Sequence, residues 1–238
     1  KVGPPVCDIT AGILLAMGTL AAFAHKQRTG EGQLVDTSLF EAGITHTYWQ
    51  SAIAFATGVA PGPMGSAHPL NAPYQAFPTA DGWINIGAAN DANWKRMLSA
   101  LGADDLAEDP RFRDGRSRMN NREVLIGTLD PLFAKMTLAE ALKRMEDAGV
   151  PAGPVLDVKE MHAHPQTIAR EMVPSVDHPV AGRMQTIGLP VKFSSTPGGI
   201  CHAAPTFGQH TRQILMEHSY EETEIEALLQ VRAVVAAG

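Results

Sequence analysis

Asp8 stands immediately ahead of an uncharged apolar run, Ile9 to Ala24. A carboxylate in that place has two possible duties. It can cap the helix that the run predicts, since Asp is a favoured N-cap residue. It can also act as a nucleophile. The free N–H groups and dipole of a helix N-terminus favour negative charge there by about 0.3–1 kcal/mol. The two duties are compatible, and position alone does not choose between them.

Nine histidines raise the question of a metal. His162 and His164 lie two apart, which on a helix turns them away from each other, and no Cys or acidic partner has zinc spacing. No metal is expected. Cys7 and Cys201 form no paired motif and read as free thiols. Gly30 and Gly32 follow a helix rather than precede one, without the Lys and Ser/Thr of a phosphate loop, so they read as a turn. The absence of a Gly-x-Ser-x-Gly elbow argues against an α/β-hydrolase.

The elements that must position Asp8 are legible in the hydropathy pattern. A helix is predicted from about Ile9 to Gln27, apolar all round and therefore buried on most sides. Its uncharged run is shorter than the roughly 18–20 residues a bilayer span needs, and Gly12 and Gly18 interrupt it. A short strand is expected at residues 33–37 and a second long helix at 39–56, which together suit part of an α/β layer. The Gly/Pro-rich stretch from Gly58 reads as a linker. A hairpin around Asp81-Gly82 follows. Helices are then expected at 92–101 and 122–135, and a third begins at a Thr137/Glu140 capping box and ends at Gly149. Residues 150–155 read as extended, 164–172 as a short helix, and 173–176 and 183–193 as strands. Two tail helices span about 211–218 and 220–229. The composition, 45% hydrophobic and 18% charged, is that of a globular protein, and a net charge of -6 speaks against a nucleic-acid surface.

Five stretches, in order along nearly the whole chain, carry a family likeness. The first is Asp8 to Gly12 (DITAG), followed by the apolar helix and Arg28 to Ser38 (RTGEGQLVDTS). The second is Ala72 to Phe77 (APYQAF) with Thr79 to Trp83 (TADGW). Gly149 to Val155 (GVPAGPV), His178 to Gly182 (HPVAG) and Phe207 to Thr211 (FGQHT) complete the set. In this pattern the sequence resembles the class III CoA-transferases, a family that includes formyl-CoA and carnitine-CoA transferases and α-methylacyl-CoA racemases.

The resemblance implies an α/β fold: a Rossmann-like large domain, present only in part, plus a smaller α+β domain, in subunits that interlock as a homodimer. Residues 1–57 would belong to the large domain, 58–72 to the linker, 73–195 to the small domain, and 196–238 to a tail returning to the large one. The N-terminal half of the family's chain, with most of its CoA contacts, is expected to be missing. Asp8 matches the catalytic carboxylate, Leu39 falls on the cofactor-binding side, and His68, Tyr74 and Gln75 fall on the substrate side. The implied function is transfer of CoA from an acyl-CoA donor to a carboxylic-acid acceptor, with CoA thioester as substrate and no tightly bound cofactor. The setting would be cytoplasmic, without nucleic acid or membrane. A racemase using Asp8 in acid/base exchange is the alternative. Asn90 leans against it, because racemases carry a Glu there, although Asp91 is adjacent. A fragment that only binds or assembles is the third reading.

Overall fold

The computed structural model describes residues 2–237, which divide into two units between Val155 and Leu156. The first unit opens with α1 (Val6–Thr29), α2 (Leu39–Thr45) and α3 (Tyr48–Thr57). It continues with β1 (Tyr74–Pro78) and β2 (Trp83–Gly87), the expected hairpin, with Pro78 opposite Trp83 across the Asp81-Gly82 turn. After α4 (Asp91–Leu101), a 3-10 turn (Asp104–Ala107), α5 (Gly115–Asn120), α6 (Arg122–Phe133) and α7 (Leu138–Asp147), β3 (Ala152–Pro154) returns antiparallel to β2.

The core of this unit follows from strand alternation and helix stripes. Phe77, Ile84 and Ile86 point from the sheet onto Trp94, Met97 and Leu98 of α4, Leu125, Leu129 and Phe133 of α6, and Ala141 and Met145 of α7. Phe77 and Phe133 stack at 4.8 Å. Capping sets the helix starts. Asn90 Oδ1 accepts from the Asn93 N–H at 2.7 Å, and Thr137 and Glu140 form the reciprocal capping box. Gly102, at φ +66°, ends α4 in the left-handed conformation that glycine adopts without strain.

In the second unit, α8 (Val158–Ala163) and α9 (Pro165–Ala169) precede a two-stranded antiparallel ribbon, β4 (Ser175–His178) and β5 (Gly182–Gln185). Helices α10 (Thr211–Glu217) and α11 (Glu222–Gln230) follow, joined by Arg212, which pairs with Glu222 and Glu226 at 2.5 Å each.

Several expectations are corrected. Asp8 is not the N-cap. Helix α1 begins at Val6 after the cap Pro5, whose carbonyl accepts from the Ile9 N–H, so Asp8 is the third helical residue. Pro4 and Pro5, with φ fixed by their rings, start the helix earlier than the apolar run does. Residues 33–37 form no strand, because no segment among the described residues offers them a ladder, and Leu34 is 91% exposed. The single helix expected at 39–56 breaks at His46-Thr47, where the Thr47 hydroxyl donates to the Ile44 carbonyl at 2.8 Å. Helix α9 stops at Ala169 because Glu171 turns to φ +52°, and β5 ends at Gln185 because β4 offers only four residues to face it.

Helix α1 differs most. Only Ala11 and Ala22 are buried, while Ile13 (57%), Leu20 (68%) and Phe23 (55%) are exposed. Within the chain α2 is its main packing partner. At 24 residues it is also long and apolar enough to cross a membrane by length and composition, so the length argument against a span does not hold. A core helix of a larger protein has the same properties.

Candidate active site

Asp8 is exposed in the first turn of α1, and among the described residues it makes no hydrogen bond or ion pair. Its helix is fixed against α2 by small residues and one hydrogen bond. A Cβ added to Gly43 would lie 3.2 Å from Cys7 Sγ, so the helices approach closely beside Asp8. Two residues beyond Asp8, Thr10 Oγ1 hydrogen-bonds His46 Nε2 at 2.7 Å. That bond ties α1 to the break between α2 and α3. Helix α2 is itself capped by Ser38, whose hydroxyl oxygen accepts from the Glu41 N–H and donates to the Glu41 carboxylate. Leu39, the expected CoA-side residue, opens α2 with its side chain half exposed.

The break aims α3, and α3 leads to the expected substrate residues. Trp49 meets His68 edge-on at 5.4 Å, and His68 stacks on Tyr74 at 5.1 Å with their planes 9° apart. The His68 N–H donates to the Tyr74 carbonyl at 2.9 Å, and Ser66 Oγ accepts from the Ala76 N–H at 3.1 Å, so the linker folds back along β1. The structure thus unites His68 with Tyr74 and Trp49.

Gln75 does not join this group. Adjacent strand residues point to opposite faces, and Gln75 lines a separate groove of about 770 Å³ with Met119, Arg122, Ile126 and Asp130. Burial raises the Asp130 carboxyl above its ordinary value of 3.8.

Sequence reasoning missed Arg118, which is fully buried. Its Nε donates to the Ala72 carbonyl at 3.0 Å, Nη1 to the Phe112 carbonyl at 3.2 Å, and Nη2 to the Ala89 carbonyl at 3.4 Å and the Asp91 carboxylate at 2.8 Å. The guanidinium lies over the Trp94 ring at 5.3 Å. Arg118 therefore pins the exit of the linker, at the carbonyl of the cis Ala72–Pro73 bond, to the loop after β2. In the sequence it sits in a polar stretch, RSRMNN, that nothing distinguishes from an exposed helix. Asn90 and Asp91 are likewise committed, one to a cap and the other to Arg118. Among the described residues, no three His, Cys, Asp or Glu side chains gather as metal ligands.

An exposed carboxylate in the first turn of a helix suits nucleophilic attack on an acyl group. Comparison with known proteins gives the family. The family model described as CoA-transferase family III matches residues 1–211. An acyl-CoA transferase of Fusarium pseudograminearum is 37% identical over 91% of this chain and 49% of its own length. The succinyl-CoA:mesaconate CoA-transferase of Haloarcula hispanica is 36% identical, over 91% of this chain and 54% of its own. A crystal structure of a CaiB/BaiF family protein from Brucella suis superposes with a TM-score of 0.75 at 30% identity, covering 91% of this chain and 56% of that one. The chain spans about half the length of the curated relatives it matches. By sequence match and by fold, mixed α/β throughout, the chain belongs to CoA-transferase family III.

Proposed function

We propose that the full-length protein moves CoA between carboxylic acids, with Asp8 as the nucleophile. The observation that carries this reading is an exposed Asp8 in the first turn of α1, where the helix N-terminus favours a carboxylate. In the first step an Asp8 oxygen attacks the donor thioester carbonyl and expels CoA thiolate, leaving a mixed anhydride. The thiolate then attacks the Asp8 carbonyl and releases the donor acid, leaving an aspartyl-CoA thioester. The acceptor carboxylate displaces CoA to form a second anhydride. CoA thiolate finally attacks the acceptor acyl carbon and frees Asp8. Each step forms one acyl bond and breaks one, so no net proton or electron is required. Each tetrahedral intermediate needs oxyanion donors; in the first turn of α1 the Val6 and Ile9 N–H groups already donate to Pro4 and Pro5, which leaves those of Cys7 and Asp8.

In this reading residues 1–57 form part of a large CoA-binding domain to which 196–238 return, and Leu39 lies toward CoA. The protein acts as a cytoplasmic homodimer. The apolar residues of α1 then serve packing rather than a bilayer. The relatives named for succinyl-CoA make that thioester the first donor to try.

The test is to incubate full-length protein with a panel of acyl-CoAs, quench with hydroxylamine, and map a hydroxamate by peptide mass. A hydroxamate on Asp8 is expected, and it is absent in Asp8→Ala, which also loses transfer. Asp8→Asn keeps CoA binding. Near-normal turnover in Asp8→Ala defeats the proposal. Proton exchange next to the thioester carbonyl, without any adduct, makes the protein an isomerase instead.

A further inference from the structure

Three histidines in this chain precede proline: His68, His164 and His178. In all three the ring Nδ1 accepts the backbone N–H two residues on, from Leu70 at 3.1 Å, Gln166 at 3.2 Å and Val180 at 3.1 Å. A backbone N–H can only donate, so Nδ1 must carry a lone pair. The neutral ring therefore holds its proton on Nε2. His-Pro is thus a local turn that fixes the tautomer, and by itself it explains nothing about function.

His68 differs from the other two in its aromatic surroundings. Its Nδ1 is also within 3.2 Å of the Asn71 amide, as Nδ1 of His178 is also reached by the Ala181 N–H at 3.0 Å. Tyr74 stacks on the His68 ring and Trp49 meets it edge-on. Its Nε2 has no partner among the described residues, and it is not among the buried atoms left without one, so it is open to solvent. The result is a held ring against two aromatic side chains with one N–H free for a ligand. Trp49 lies on α3, which follows His46, and the His46 ring hydrogen-bonds Thr10 of α1.

We infer that His68 Nε2–H is the hydrogen-bond donor that receives a carboxylate oxygen of the acceptor acid. The inference rests on the transfer reading. The pre-set tautomer means that no proton must move for the acid to bind. The stacked Tyr74 ring holds the imidazole so that its N–H keeps one direction. A bond to a charged acceptor of this kind is worth roughly tenfold to hundredfold in affinity.

Two variants of the full-length protein test it. His68→Phe keeps a stacked ring without the N–H. His68→Gln places an amide N–H near the position of Nε2. The acceptor KM is expected to rise roughly tenfold to hundredfold in His68→Phe and to return most of the way in His68→Gln. The thermal midpoint is expected to stay near that of the wild type in both, which keeps the fold out of the comparison. An unchanged acceptor KM in His68→Phe overturns the inference. So does an equal rise in acceptor KM in both variants, which would give His68 only a structural role. Histidine ring nitrogen spectra provide a readout without turnover. Succinate, as probe, is expected to shift the protonated Nε2 resonance of His68 and leave His164 and His178 unmoved. If no Asp8 adduct forms even in the wild type, the transfer reading fails, and the succinate titration still decides the contact at His68: a shift upholds it and silence removes it.

Discussion

Replacing Arg118 with Ala removes every donor that Ala72, Phe112 and Ala89 receive from its guanidinium. The site is sealed, since the side chain has no exposed surface. Each carbonyl left without a partner costs about 1 kcal/mol or more. The lost contact with the Trp94 face and the void left by the side chain add to this. The sum is on the order of 3–5 kcal/mol, at the upper end for a single substitution. Arg118→Lys should cost about 2 kcal/mol, because an ammonium cannot fork toward acceptors on three sides. Asp91→Asn should cost less than about 1 kcal/mol, since the Asp91 carboxylate is 64% exposed and solvent already screens the pair. Urea denaturation followed by tryptophan fluorescence measures all three, and Trp94 reports directly from beneath the guanidinium. An Arg118→Ala midpoint corresponding to less than about 1 kcal/mol would mean that water or a rearranged loop satisfies the carbonyls, and would refute the reasoning.

Thr137→Ala breaks the capping box of α7 and is expected to lower stability by about 1 kcal/mol, measured in the same denaturation experiment. The backbone N–H of Ser117 holds the Asp114 carboxyl below its ordinary value of 3.8, so that stabilisation is present above 3.8 and is lost as pH falls through the lowered range. Asp114→Asn should therefore flatten the acid limb of the stability profile. Asp130 has the opposite sign: burial raises its carboxyl, so ionising it costs stability as pH rises past 3.8. Asp130→Asn should then stabilise at neutral pH and leave stability below 3.8 unchanged, and a gain that persists in acid would count against burial as the cause.

The elements most legible in the sequence were those whose determinants are local. The Asp81-Gly82 hairpin, the Thr137/Glu140 box and the Gly102 stop each depend on a few adjacent residues, and each formed where expected. The failures were elements whose determinants lie elsewhere. Residues 33–37 have strand character but no ladder, and a strand is a property of a pair. Arg118 becomes a hub only because Ala72, Ala89 and Phe112, distant in sequence, present carbonyls to one point. At the site, His68, Tyr74 and Gln75 were expected together on the substrate side. His68 and Tyr74 meet as a stack, and strand alternation sends Gln75 to the other face.

Helix α1 brings these points together. Its sequence is apolar on every side, yet the chain covers it mainly on the α2 side. Where it is covered, the contacts are those of a packed helix. A Cβ on Gly18 would fall 2.8 Å from Val35 Cγ1, and Cys7 presses on Gly43 at the other end. Glycines at such close approaches set the distance to the neighbouring segment, and Gly43 does so against Cys7, the residue before Asp8. The turn that carries the carboxylate is therefore positioned by packing along α1 rather than by a partner for Asp8 itself. A carboxylate held this way is fixed in place while its oxygens stay unengaged among the described residues. Enlarging Gly43 would consequently disturb transfer more than replacing the cap residue Ser38, although only Ser38 makes side-chain hydrogen bonds.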